Sequence, residues 1–246
     1  MKMLERPQGC RLAYERIEGA GPGIVFLTGF KSDMTGDKAT RLEAFARQRG
    51  RAFLRFDYSG HGASEGRFED GTIGTWAEDA RAAVETLTEG PQILVGSSMG
   101  GWIALLLARD MGARVGGLVT IAAAPDFTED GYWAGWSEEE RARLMAEGSV
   151  SVPSDYGEPY VITRALIEDG RERLVLRSPL RLPMPVRCLL GTADEAVPLD
   201  WGLRLLEHAE APDMRLTLVK GVDHRFSTPE CLALIEASVE EVSRGL

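Results

Sequence analysis

Residues Gln92-Ile93-Leu94-Val95-Gly96-Ser97-Ser98-Met99-Gly100-Gly101-Trp102 decide how this chain is read. A buried apolar run enters Gly-x-Ser-x-Gly, and an apolar helical run leaves it. A serine on so sharp a strand-to-helix turn is raised above the edge of a sheet, and the outer glycines let helix and strand pass closely. The helix N-terminus then favours negative charge developing at Ser98. Gly-x-Ser-x-Gly alone also fits an ordinary glycine-rich turn. The strand before it and the helix after it make Ser98 a candidate nucleophile, and Met99 a candidate backbone N–H donor to an oxyanion.

Further apolar runs stand on both sides: Ile24-Val25-Phe26-Leu27, Phe53-Leu54-Arg55-Phe56, Leu118-Val119-Thr120-Ile121, Val186-Arg187-Cys188-Leu189-Leu190 and Leu216-Thr217-Leu218-Val219. Their continuous hydrophobicity suits parallel strands covered on both faces, which need crossover helices between them. Such helices are present in the pattern. Residues 39–49 align Leu42, Phe45 and Ala46, and Thr75 with Glu78 form a capping box before a stripe of Trp76, Ala80, Val84 and Leu87. Residues 101–111 are apolar nearly all round. Thr228 and Pro229 open a last helix expected to bury Leu232, Ile235, Val239 and Val242. The expected fold is α/β, a doubly wound and mostly parallel central sheet flanked by helices. Leu12-Ala13-Tyr14 with Ile17 is expected to add an antiparallel hairpin at its edge.

The alternation breaks over residues 126–185, which show at least two helical stretches, one capped by Ser137 and Glu140, and no clear buried strand. Motifs on both sides of this segment make it a lid inserted into a single domain spanning residues 1–246. Its aromatics Phe127, Tyr132, Trp133, Trp136, Tyr156 and Tyr160 have two readings: an apolar roof over a substrate, or packing of the lid onto the sheet.

Composition limits the partners. The 246 residues carry 28 Lys+Arg against 38 Asp+Glu, a formal charge of −10 with no local basic cluster, so a nucleic-acid backbone would be repelled. No apolar stretch reaches signal-peptide or membrane-span length, and the expected location is cytoplasmic. The three cysteines, Cys10, Cys188 and Cys231, are odd in number and far apart, which fits reduced packed thiols and neither a disulfide framework nor a metal site.

A serine hydroxyl needs a base, and only His61, His208 and His224 are available. His224 follows the strand 216–219 in a loop at the carboxyl edge, the side of Ser98. His208 lies in an amphipathic helix. His61, in Asp57-Tyr58-Ser59-Gly60-His61-Gly62-Ala63-Ser64, is on the correct edge but sits in what reads as a structural turn. The base needs a carboxylate to fix its tautomer. Asp194, in Gly191-Thr192-Ala193-Asp194-Glu195, is the candidate; Glu195 and Asp223 are its competitors. The order Ser98, Asp194, His224 is that of the α/β-hydrolases. The second oxyanion donor is expected in Thr28-Gly29-Phe30-Lys31, with Phe30 favoured because Gly29 lets the backbone turn over the site.

At this point the chain resembles an α/β-hydrolase along essentially its whole length. More narrowly, Ser32-Asp33-Met34, Arg55-Phe56-Asp57-Tyr58-Ser59-Gly60, residues 90–98, Gly100-Gly101-Trp102 and Asp223-His224-Arg225 resemble the α/β-hydrolase domain-containing protein 10 family. That resemblance implies a serine hydrolase acting on palmitoyl-protein thioesters and acyl glucuronides without a cofactor, with Ser98 as nucleophile, Asp194 as acid and His224 as base. The family's long N-terminal extension has no counterpart in the sequence, so organelle targeting is not expected. The expected substrate is a small-molecule or acyl-protein ester or thioester. Two other readings use the same fold: a carbon–carbon bond hydrolase or serine peptidase on the same triad, and a non-catalytic ligand receptor.

Overall fold

The strands alternate with a period of two, so that each supplies both faces of one sheet. In the computed structural model, which describes residues 1–6, 9–153 and 159–244, Ile24 and Phe26 point to one core while Val25 and Leu27 point to the other. The elements in chain order are β1 (Lys2–Leu4), β2 (Leu12–Ile17), β3 (Ala20–Leu27), α1 (Asp37–Arg49), β4 (Arg51–Phe56), α2 (Ile73–Leu87), β5 (Gln92–Ser97), α3 (Met99–Asp110) and β6 (Val115–Ile121). Then come α4 (Glu138–Glu147), β7 (Ser149–Val152), β8 (Tyr160–Thr163), α5 (Arg164–Arg171), β9 (Leu180–Arg181), β10 (Val186–Gly191), α6 (Leu199–His208), β11 (Ala209–Glu210), β12 (Met214–Val219) and α7 (Pro229–Val242).

The central sheet has the order β1-β2-β4-β3-β5-β6-β10-β12. It is parallel from β4 to β12, while β2 pairs antiparallel with both β1 and β4, which is the expected edge hairpin. On one face Trp76 of α2 and Trp102, Ile103 and Leu106 of α3 pack on Val25, Leu94 and Leu118. On the other, Leu42 and Phe45 of α1 and Ile235 and Val239 of α7 cover Ile24, Ile93 and Val119. Burying a side chain of this size contributes roughly 1.5–3 kcal/mol, and the mostly apolar β5 and β6 are buried at every position. They form the rigid centre from which Ser98 projects.

Three local expectations are corrected. Helix α2 begins one turn before Thr75: Thr72 is the N-cap and Thr75 the third helical residue, their side chains closing the box, because Ile73 is fully buried and extends the apolar stripe. In α7, Cys231 is buried where Leu232 was expected and Leu232 is only partly covered. Residues 126–185 do contain strands: β7 and β8 form an antiparallel hairpin. Each is four residues long with a single buried residue, Val150 and Ile162, too little for an apolar run to register.

The same segment closes on itself. Asp126, fully buried with φ 60°, accepts the N–H groups of Val175 (2.8 Å) and Leu176 (3.1 Å) and a guanidinium N–H of Arg177 (2.8 Å). Its first and last thirds are thereby tied together above the sheet edge. Among the described residues no helix is long and apolar enough to cross a membrane. The cysteines are free thiols; Cys188 and Cys231 are buried, and burial pushes the Cys188 thiol up to about 11, which makes it inert.

Candidate active site

Ser98 joins β5 to α3 with φ 54° and ψ −119°, a conformation side chains other than glycine rarely adopt. Its neighbours explain how it is held. A Cβ on Gly96 would lie 2.6 Å from the Gly100 carbonyl carbon, so Gly96 is required by the crossing of strand and helix; one on Gly101 would lie 2.6 Å from Ala123 Cβ, so Gly101 is required by the close turn after β6. The Ser98 N–H donates to the Ile121 carbonyl (2.9 Å) and its own carbonyl accepts from Gly101 (2.9 Å) and Ala124 (3.1 Å). The backbone is locked while the side chain stays free to react.

The hydroxyl lies 3.1 Å from His224 Nε2, and His224 Nδ1 donates to Asp194 Oδ2 at 2.8 Å. That second bond fixes the tautomer, leaving Nε2 as the acceptor for the Ser98 O–H. Asp194 is oriented in turn: its Oδ1 accepts the N–H groups of Ala196 (2.9 Å) and Val197 (2.8 Å). The three residues named from the sequence therefore meet in one hydrogen-bonded chain. Of the competitors, Glu195 is exposed and the Asp223 carboxylate acts on Lys38.

The loops carrying Asp194 and His224 touch because Gly191, ending β10, has no side chain: a Cβ there would lie 2.6 Å from the Val222 carbonyl carbon. Beyond His224, the fully buried Phe226 adopts φ 50°, and Lys38 Nζ donates to the Arg225 carbonyl at 2.5 Å, anchoring the loop to α1. Burial draws the Lys38 ammonium down, with Asp37 and Asp223 working against that shift.

Phe30 and Met99 flank Ser98, with Gly29 packed near its Cβ (3.4 Å from a carbon added there). Neither the Phe30 nor the Met99 N–H donates to another described residue. The other histidines stand elsewhere. His208, at the end of α6, holds the Ser178 carbonyl (2.8 Å), and His61 is buried in the turn after β4.

Two clefts meet at Ser98 and His224. One, of about 360 Å³, is walled by Phe30, Phe127, Tyr132, Tyr160, Val197 and Trp201. The other, of about 270 Å³, is the more polar of the two, with Thr28, Lys31, Ser32, Asp33, Lys38 and Arg225 on its walls beside Phe26 and Tyr160. The aromatics of residues 126–185 thus divide. Phe127, Tyr132 and Tyr160 face the apolar cleft, whereas Trp133 packs under Arg141 and Arg171 and Trp136 stacks on Tyr132. Tyr156 lies outside the described residues. Trp201 and Val197 were not singled out from the sequence; their signal is their place just after the Asp194 turn, on the first turn of α6 and the approach to it.

A strained serine on a strand-to-helix turn, facing a histidine and an aspartate from the loops after β12 and β10, invites comparison with known proteins. Residues 24–232 match the model of a family described as Alpha/beta hydrolase family. The chain is 35% identical over 244 residues to a protein of Rattus norvegicus named Palmitoyl-protein thioesterase ABHD10, mitochondrial, an alignment covering 98% of this chain and 82% of the relative. Among solved structures, alpha/beta hydrolase domain-containing protein 10 from mouse superposes with a TM-score of 0.91 at 35% identity, covering 98% of this chain and 97% of that one. A putative hydrolase from Agrobacterium vitis S4 does so with a TM-score of 0.93 at 40% identity, covering 99% and 97%. The chain belongs to the alpha/beta hydrolase family, and it is a hydrolase.

Proposed function

We propose that this hydrolase cleaves carboxylic ester or thioester bonds through an acyl-enzyme on Ser98, with His224 as base, Asp194 as its orienting acid, and the Phe30 and Met99 N–H groups as oxyanion donors. The observation that carries the reading is the chain Ser98 Oγ to His224 Nε2 to Asp194 Oδ2, at 3.1 and 2.8 Å, on a turn whose strain has no other use. Ser98 Oγ attacks the acyl carbon while its proton passes to Nε2; the carbonyl oxygen gains the negative charge and is held by the two N–H groups. Collapse breaks the C–O or C–S bond, and Nε2 returns the proton to the leaving alkoxide or thiolate. A water then gives its proton to Nε2 and its oxygen to the acyl carbon. The acid leaves and Ser98 regains its proton.

The two clefts suit the two halves of such a substrate. The acyl group takes the apolar side beneath Phe127, Tyr132 and Trp201, and the leaving group takes the polar side beside Lys31 and Lys38. Residues 126–185 then act as the lid of a single domain, roofing the acyl side. The palmitoyl-protein thioesterase named among the relatives makes an acylated protein thiol one candidate substrate.

Turnover of p-nitrophenyl esters and acyl thioesters, with fluorophosphonate labelling of the protein, tests the reading. Ser98→Ala should abolish labelling and lower kcat by at least about 10³-fold. Retention of both activities by that variant would overturn the assignment.

A further inference from the structure

The turn after β4 holds a histidine that the proposed chemistry does not use. His61 is 3% exposed and ringed by Tyr58, Phe68 and Trp76, with ring centroids 5.1–5.6 Å away. Both nitrogens are engaged. Nδ1 donates to the Ser59 carbonyl (3.2 Å), and Nε2 accepts the backbone N–H of Lys31 (3.1 Å). Lys31 is the residue after Phe30.

From this geometry we propose that His61 is a positioning residue for the oxyanion hole, holding the turn that aims the Phe30 N–H at the reacting carbonyl. The inference rests on the oxyanion role given to Phe30 above. Gly29-Phe30-Lys31-Ser32 is a turn closed by the Ser32 N–H on the Gly29 carbonyl (3.2 Å), with Lys31 at its third position and φ 53°. Type II turns favour glycine at that position, and a lysine there pulls the turn toward type I. The two forms differ by a flip of the Phe30–Lys31 peptide. In the flipped form the Phe30 carbonyl, not the Lys31 N–H, would face the Nε2 lone pair, and two acceptors would oppose each other. His61 thereby selects one conformer of that peptide and fixes the Phe30 Cα, through which it joins the Gly29–Phe30 peptide that carries the Phe30 N–H.

The rest of the loop is pinned from the same strand end. Asp57 Oδ1 accepts the Met34 N–H (2.7 Å), and Arg55 Nη1 donates to the Met34 carbonyl (2.6 Å). Neither reaches Phe30 or Lys31; the Phe30 ring is held by the rings of Phe68, Trp76, Phe127 and Tyr160 at 4.8–5.7 Å, and the Phe30–Lys31 peptide by the hydrogen bond to His61. Its ring must stay neutral for Nε2 to accept. Burial ensures that, drawing its ionisation down to about 4.

The test compares His61→Phe, which keeps a ring among the aromatics but removes the acceptor, with His61→Gln, whose terminal amide oxygen restores an acceptor near Nε2. Rates are taken per fluorophosphonate-titrated active site. His61→Phe should lower kcat on the order of 10–100-fold with KM within about twofold, and weaken a boronic acid that forms a tetrahedral adduct on Ser98 by the same factor. His61→Gln should recover most of both. Wild-type kcat and boronate affinity in His61→Phe, or equal losses in both variants, would overturn the inference while leaving Ser98 labelling, and so the proposed function, intact. Should His61→Phe not fold, coupling across the hydrogen bond between the Lys31 amide nitrogen and His61 Nε2 in 15N-labelled wild type decides the point. Its absence refutes the contact, and its presence together with a fast His61→Gln supports the role.

Discussion

Gly100 is the position where the elbow and the oxyanion loop press on each other. A methyl group added there would sit on the Leu27 carbonyl oxygen, 2.6 Å from the Leu27 carbonyl carbon and 2.5 Å from the Thr28 carbonyl oxygen, all backbone atoms. No rotamer change relieves such a clash. Overpacking a core costs about 1–3 kcal/mol, and here it meets strand backbone, so Gly100→Ala belongs at the upper end, a fall in Tm of about 6–12 °C for a chain of this size. The activity loss should exceed what stability explains. Relief requires the end of β3 to move away from α3, carrying Gly29 and Phe30 from Met99, and a displacement of 1 Å at a reacting centre is worth about 100-fold in rate. Gly135→Ala is the control, because no atom lies within 4 Å of the added carbon; its Tm and kcat should match those of the parent. The assays are thermal unfolding and ester turnover per labelled active site. Wild-type kcat in a folded Gly100→Ala would refute the reasoning, since it would mean that the loop does not depend on the elbow for its position.

Three further outcomes follow from the same geometry. His61 takes its proton at about 4 in the fold against 6.5 ordinarily, so between those values the unfolded chain binds a proton that the native state refuses. Stability is full above pH 6.5 and drops by about 3 kcal/mol in all as pH falls to 4, a loss that His61→Gln should lack in urea unfolding; parallel curves would show that the ring is not held neutral. Asp126→Ala strands the Val175 and Leu176 N–H groups and should cost roughly 3 kcal/mol, with faster amide exchange at those two residues, while Asp126→Asn, which keeps an acceptor and tolerates φ 60°, should cost less. Trp201→Ala should lengthen the preferred acyl chain by a few carbons in a p-nitrophenyl ester series, each added CH₂ being worth about 0.8 kcal/mol, or roughly fourfold in kcat/KM; an unchanged profile would place the acyl group elsewhere.

Ser98, Asp194 and His224 were legible in the sequence because each follows a strand whose apolar run announces itself, and the carboxyl ends of parallel strands share one edge. Only that edge had to be recognised. The sequence offers the aromatics of residues 126–185 as a roof, but not which of them face the cleft. Phe127 and Tyr132 are five residues apart, a spacing that ordinary helical periodicity puts on different faces. The segment Thr128–Trp133 is instead a π-helix, whose wider turn brings the two rings to 5.7 Å and leaves Trp133 under Arg171. A pattern of 3.6 residues per turn cannot separate the tyrosine that faces the cleft from the tryptophan beside it. Two buried residues in two short strands carry too little hydrophobic signal to announce the hairpin β7–β8, and Thr75 with Glu78, one turn after Thr72, satisfies the same capping motif.

The register of the last two strands brings Asp194 and His224 together. β10 and β12 pair from Val186 with Met214 to Gly191 with Val219, so the loops carrying Asp194 and His224 leave the sheet side by side. The Ala193 N–H on the Val222 carbonyl (3.0 Å) and the Gly221 N–H on Thr192 Oγ1 (2.9 Å) extend that pairing past the strand ends. Ser98, however, leaves from β5, which is separated from β10 by β6. β6 ends level with β5, Ile121 pairing with Ser97, and two residues short of the end of β10; Ala122 then turns with φ 46°, residues 121–124 are bonded to Ser98 through the Ile121 and Ala124 hydrogen bonds, and His224 reaches across the end of β6. The place of Ser98 relative to His224 thus depends on the turn after β6, which holds neither of them, and the same turn leads into Asp126 and the residues over the apolar cleft. Movements of residues 126–185 that reach back to Ala124 would be felt at Ser98 directly, through its own carbonyl, before they are felt by any wall of that cleft.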